Sequence, residues 1–190
     1  ALGPRVVHHL LVTRHLYDSS PQEVRQGMRP VCALAPGVLG LTGIETAEIL
    51  RGVIDRVHPD LVIAIDSLVA RESQHLAATI QISDTGIYPG SGLGKQRLGI
   101  TQEDMGGPVV AAGIPTVVNS VTIVEDTIQQ LINDQQLANT NLQRELTNFD
   151  QQNKQEIIKR VLQPYLNELV MTPKGIDELI RDVGRVVAGG

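Results

Sequence analysis

Apolar residues fall along this chain in two rhythms. Leu61–Ile65 is apolar without a break and ends on an acid, Asp66; Thr79–Ile82 is rich in β-formers and leads to a second acid, Asp84. Val109–Ile114 is a third such run, followed by Pro115 and Thr116. Continuous rather than alternating runs predict strands covered on both faces. Helical spacing fills the intervals. Val6, Val7, Leu10 and Leu11 predict a helix within 1–17, with Pro4 in its first turn, where a missing N–H costs nothing. Thr42 is the expected cap of a helix reaching about Val57, with Glu45 as its capping-box partner, and His58-Pro59 stops it. A short helix is expected over 68–78. Val121, Val124, Ile128 and Leu131 or Ile132 mark another, capped by Asn119 or Ser120. Thr172-Pro173 starts a last one, whose apolar face is Ile176, Leu179, Ile180, Val183 and Val187. Val31–Leu34 reads as a short strand. Helices and strands in this alternation predict an α/β fold: a doubly wound, mostly parallel sheet with helices on both faces.

The connectors change the picture more than the composition does. Pro36–Gly43 is glycine-rich, and 84–107 exceeds the roughly 12–15 residues beyond which a loop in a compact domain usually has a function. The stretch 133–160 is rich in Gln and Asn and reads as a polar insertion, either a solvated helix or partly disordered. Otherwise 190 residues are expected to form a single domain with a sizeable core. That core is aliphatic, since the chain holds no Trp, one Phe and three Tyr. A net charge of -5 argues against a nucleic-acid footprint. Cys32 is the only cysteine, so no internal disulfide can form and a reducing compartment is expected. Apolar runs fall well short of the roughly 20 residues a membrane-spanning helix needs, and no secretory signal pattern is in view. A soluble, cytoplasmic protein without membrane contact is the expectation.

Asp66 carries the chemistry most directly. Ligands in open α/β sheets bind beyond the carboxyl ends of strands, where burial and neighbours tune carboxylates. Asp84-Thr85-Gly86 matches the tripeptide of pepsin-like and retroviral aspartic proteases. Those folds are all-β, so the tripeptide reads here as a turn, with Gly86 relieving backbone strain. Gly90–Lys95 invites a phosphate-loop reading that fails, because Pro89 stands at the first glycine position and Gln96 follows the lysine. Its glycines, Gly90 and Gly92 among them, suit a substrate-binding loop. His8, His9, His15, His58 and His75 lack metal spacing, and no metal or cofactor is expected. Cys32, alone within a strand candidate, reads as a small buried hydrophobe. Ser67 and Ser91 lack a nucleophile elbow.

Four long segments carry a resemblance: Pro36–Ile49, Asp60–Glu72, Thr79–Gly94 and Gly113–Ile128, with Met171–Ile180 as a fifth. They resemble the germination protease family of spore-forming bacteria across nearly the whole chain outside 133–160. The resemblance implies an intracellular endopeptidase acting on small acid-soluble spore proteins, made as a zymogen and working as a homo-oligomer, a tetramer by that likeness. It implies a fold like that of the hydrogenase-maturation endopeptidases and a pair of catalytic aspartates outside any pepsin-type fold. Asp66, in Ala-Ile-Asp, matches the second of the pair; the first would directly precede Ala1, so this stretch by itself is expected to be impaired. Glu45, Asp84, Gly90 and Gly92 are second-tier candidates for holding loops or substrate. Two alternatives stay open: a metal-dependent maturation peptidase using Asp66 as a ligand to a nickel-type ion, and an inactive core or assembly module.

Overall fold

The structure is a computed structural model and describes residues 1–17, 19–90, 98–134, 141, 144, 156–158, 160–161 and 169–189. Its helices are α1 (Leu2–His9), α2 (Arg14–Tyr17), α3 (Gln22–Arg25), α4 (Leu39–Thr42), α5 (Thr46–Val57), α6 (Gln102–Met105), α7 (Ser120–Asn133) and α8 (Ile176–Gly189). Strands are β1 (Val62–Ala70), β2 (Gln81–Ser83), β3 (Val109–Asn119) and β4 (Val170–Met171), with a 3-10 turn at Ser73–His75. The sheet runs β1-β3-β2, and β4 also pairs with β3.

The fold is α/β, with a mixed sheet. Parallel pairing belongs to β1 and β3. Gln81, Ile82 and Ser83 pair antiparallel with Gly113, Ala112 and Ala111, and Val170 and Met171 pair antiparallel with Asn119 and Val118. A predominantly parallel sheet was the expectation, and the difference has a simple origin. An apolar run reports that both faces of a strand are covered; it says nothing of the direction of the neighbour. Only β3 shows that coverage, with four successive buried residues over Gly113–Thr116.

Two compact units make up the described chain, one of residues 1–67, 81–113 and 177–190, the other of 68–80 and 114–176. In the first, α1 seats Leu2 and Val6, which are 2% and 0% exposed. Arg51 on α5 donates from Nη1 to the Asp104 carbonyl on α6 at 2.9 Å. Ile87 and Ile100, both buried, form an antiparallel bridge within the long loop. In the second, Val118 and Pro115 are fully buried. The Ala77 N–H donates to the Pro115 carbonyl at 2.8 Å, the Ser73 N–H to Asp126 Oδ2 at 2.6 Å, and the Thr172 hydroxyl to the Thr116 carbonyl at 2.9 Å.

Several boundaries depart from the periodicity. The helix expected over 1–17 breaks at Leu10–Thr13, where the N–H groups of Thr13 and Arg14 both donate to the Val31 carbonyl. Val31–Leu34 is consequently not a strand, and Cys32 is exposed rather than a buried hydrophobe. Leu68–Ala70 continues β1 instead of starting a helix, because pairing beside the 11-residue β3 outweighs local helix preference. β3 itself runs through Pro115 to Asn119.

The cap of α5 also moves. Glu45, not Thr42, is the N-cap, in a reciprocal capping box with Glu48: the Glu45 N–H donates to Glu48 Oε2 at 3.1 Å. Thr42 instead accepts the Ile44 N–H, three residues too early to cap the helix. Replacing Glu45 by Ala is expected to lower stability by about 1 kcal/mol, read as a lower urea midpoint at unchanged m-value. The polar stretch 133–160, expected as a solvated helix or partly disordered, lies mostly outside the described residues.

Candidate active site

Asp66 stands in the middle of β1, four residues before its end, rather than at a strand terminus. The strand holds it half-buried. Its Oδ1 accepts the N–H of Ser67 at 2.8 Å, and among the described residues no other donor meets the carboxylate. Burial pushes the Asp66 carboxyl above the ordinary 3.8, against a smaller downward pull from the Ser67 N–H. Loss of solvation penalises the charged form, and one backbone amide cannot restore what water supplied.

The first turn of α1 lies on this part of β1. A Cβ built at Gly3 would stand 3.5 Å from the Ile65 carbonyl oxygen, which belongs to the peptide linking Ile65 to Asp66. Leu2 and Val6 anchor the turn from either side of Gly3 along the helix. At the far face of the same helix, Gly184 of α8 approaches Arg5 and Val6. Asp66 is thus a half-desolvated acid beside the start of a helix that is fixed in place, an arrangement suited to holding or passing a proton.

The germination protease family model matches residues 1–141. The chain belongs to the germination protease family. It is similar to the germination protease of Caldanaerobacter subterraneus subsp. tengcongensis, 52% identical over 193 residues covering all of this chain and 60% of that protein. The germination protease of Clostridium perfringens is 45% identical over 194 residues, covering all of this chain and 59% of the relative. That of Bacillus pumilus is 41% identical over 223 residues, again all of this chain and 60% of the relative. The chain therefore spans about 60% of the length of these germination proteases.

Set against this germination-protease membership, the other candidate residues scatter. Glu45 is engaged in capping α5. Asp84 is exposed and opens a turn in which the Thr85 N–H donates to the Ser83 hydroxyl at 3.1 Å and Gly86 adopts φ 85°. It lines an open cleft of about 590 Å3 with Thr85, Tyr88, Leu98 and Glu103, and Asp66 is not among the lining residues. Gly90 is exposed, with φ 72°; Gly92 lies outside the described residues. No helix of the described residues is long and apolar enough to cross a membrane. Sequence reasoning missed Gly3. Its one available signal was a glycine inside a helical pattern, which commonly reports close packing.

Proposed function

We propose that this chain forms the catalytic core of an endopeptidase that starts the degradation of small acid-soluble spore proteins during germination, with Asp66 as one of two aspartates acting on a water molecule. The observation that carries the reading is the half-buried Asp66 carboxyl beside the first turn of α1, within a chain of the germination protease family. The second aspartate, by the family resemblance, directly precedes Ala1 in the longer protein. Support comes from α1: because Gly3 lies on the Ile65–Asp66 peptide, a residue entering that helix arrives close to Asp66. On the same reading the whole protein is a zymogen, assembles as a homotetramer and works in the spore core.

The chemistry follows from what two close carboxyls enforce. They share a proton, since both cannot ionise side by side. Burial makes Asp66 the member that retains it. The ionised partner removes a proton from water as its oxygen attacks the scissile carbonyl carbon. Asp66 donates its proton to the carbonyl oxygen. Collapse of the tetrahedral intermediate returns that proton to Asp66, and the partner's acquired proton goes to the departing amine. Substrates are extended, unstructured segments, which can present a peptide bond to a carboxyl set in a strand.

The test is the pH dependence of kcat on an unstructured spore-protein substrate, with and without chelator. The profile is expected to be bell-shaped, its alkaline limb due to Asp66 and lying above 3.8, because the acid form is the one burial favours. Chelator should leave the rate unchanged. Loss of activity on chelation, restored by nickel, would transfer Asp66 to the role of a metal ligand.

A further inference from the structure

Glycines mark two places where α1 is closely approached. At one, Gly3 of the helix rests 3.5 Å (as a built Cβ) from the Ile65 carbonyl. At the other, a Cβ on Gly184 of α8 would lie 3.1 Å from Arg5 Cβ, 3.5 Å from the Arg5 carbonyl carbon and 3.6 Å from the Val6 nitrogen. Gly184 is the buried residue of α8. It faces backbone and Cβ atoms, which cannot swing aside as the tip of a flexible chain can. Its φ is not in the left-handed region, so its absence of a side chain answers a packing need and not a backbone one. Gly52 in α5 and Gly189 at the end of α8 meet nothing within 4 Å and show what a helical glycine without such a need looks like.

We infer that Gly184 is a positioning residue for Asp66: by letting α8 close on Arg5 and Val6, it holds the first turn of α1 against the Ile65–Asp66 peptide. Gly184 touches no reacting atom and acts through α1. The inference rests on the reading of Asp66 as the reacting acid. A side chain at 184 forces α8 off Arg5–Val6, within one turn of Gly3; α1 loses its backing there, and its first turn lifts from Ile65 and admits water to the Asp66 carboxyl. Among the described residues the Ser67 N–H on its own strand is the donor to that carboxyl, and Arg5 of α1 is exposed at the Gly184 contact. A carboxyl that regains water titrates lower, so the change is read at Asp66 itself.

The experiment compares Gly184→Ala, Gly184→Val and the control Gly52→Ala in the full chain. Asp66 titration is followed by carboxyl-carbon NMR with Asp66→Asn to assign the signal, and kcat, KM and melting temperature are measured in the longer protein. Gly184→Val is expected to move the Asp66 midpoint down towards the exposed-aspartate value near 3.9 and to lower kcat by roughly 10- to 100-fold with KM within about threefold, as small misplacements of reacting groups do. Gly184→Ala should move both in the same direction by less, even where its better helix propensity holds the melting temperature. Gly52→Ala should move neither. An Asp66 midpoint unchanged in Gly184→Val, with Asp66→Asn inactive, overturns this inference and leaves the catalytic reading standing. Full activity in Asp66→Asn overturns the catalytic reading instead.

Discussion

Asp66→Asn is expected to lower the rate of cleavage of an unstructured spore-protein substrate by about a thousandfold or more in the complete protein, the scale of a lost general acid–base step. Asparagine keeps the shape and can still accept the Ser67 N–H at the 2.8 Å seen for Oδ1, but it carries no proton to give. Stability should move the other way. The folded-state value of Asp66 is raised, so between 3.8 and that value the folded protein binds more protons than the unfolded chain. Stability therefore falls as pH rises through this window and stays reduced at neutral pH. Asn removes the titration. The variant should be at least as stable as the parent at pH 7, with the advantage gone once the pH drops below 3.8. Denaturant titrations at pH 3 and pH 7 check the sign. Asp84→Asn is the companion: its exposed place in a turn predicts activity within about twofold of the parent, as for surface positions generally. A dead Asp84→Asn beside an active Asp66→Asn would hand the chemistry to the Asp-Thr-Gly tripeptide.

Gly86→Ala is expected to be the most damaging single methyl in the described chain. A Cβ there would sit 2.4 Å from the Ile100 carbonyl oxygen and 2.8 Å from Thr101 Cα, both backbone, at φ 85°. Strained backbone and overlap each cost about 1–3 kcal/mol, and here they coincide. The loss should be about 3 kcal/mol, or a fall of roughly 6–12 °C in melting temperature for a chain of this length. What yields is the Ile87–Ile100 bridge, whose amides exchange bonds of 3.1 and 2.7 Å between two buried isoleucines. Gly43→Ala separates the two terms. Its φ is 70°, yet nothing lies within 4 Å, so only the backbone penalty of about 1 kcal/mol applies. Equal melting temperatures for the two variants would remove the overlap from the account.

Helices that bury one stripe were legible because 3.6-residue spacing is dictated by that stripe: α5, α7 and α8 stand close to where their apolar positions put them. Strand direction and length were not, since both depend on partners far along the chain. Leu68–Ala70 has no local reason to remain extended, and Pro115 has a local reason to leave a strand; β1 and β3 override both. Asp66 was legible as an acid after an apolar run, but its place in mid-strand was not, and this matters because it is what half-buries the carboxyl. Capping of α5 went to Glu45 over Thr42 because the chain turns through αL at Gly43 before the helix begins. Cys32 was misread as buried for the same reason that Val31 was misread as a strand residue: the Val31 backbone is held by Thr13 and Arg14, a contact no local pattern announces.

Pro115 lies two positions beyond Gly113, the last residue of β3 that β2 faces, and proline has no N–H to extend a ladder. β2 is thereby limited to three residues at the outer end of the sheet order, although Ile80 and Ile82 are both exposed there. So short a rim offers too few free amides to template a stranger's strand. Greasy as it is, that margin of the molecule is poorly suited to nucleating cross-β polymers.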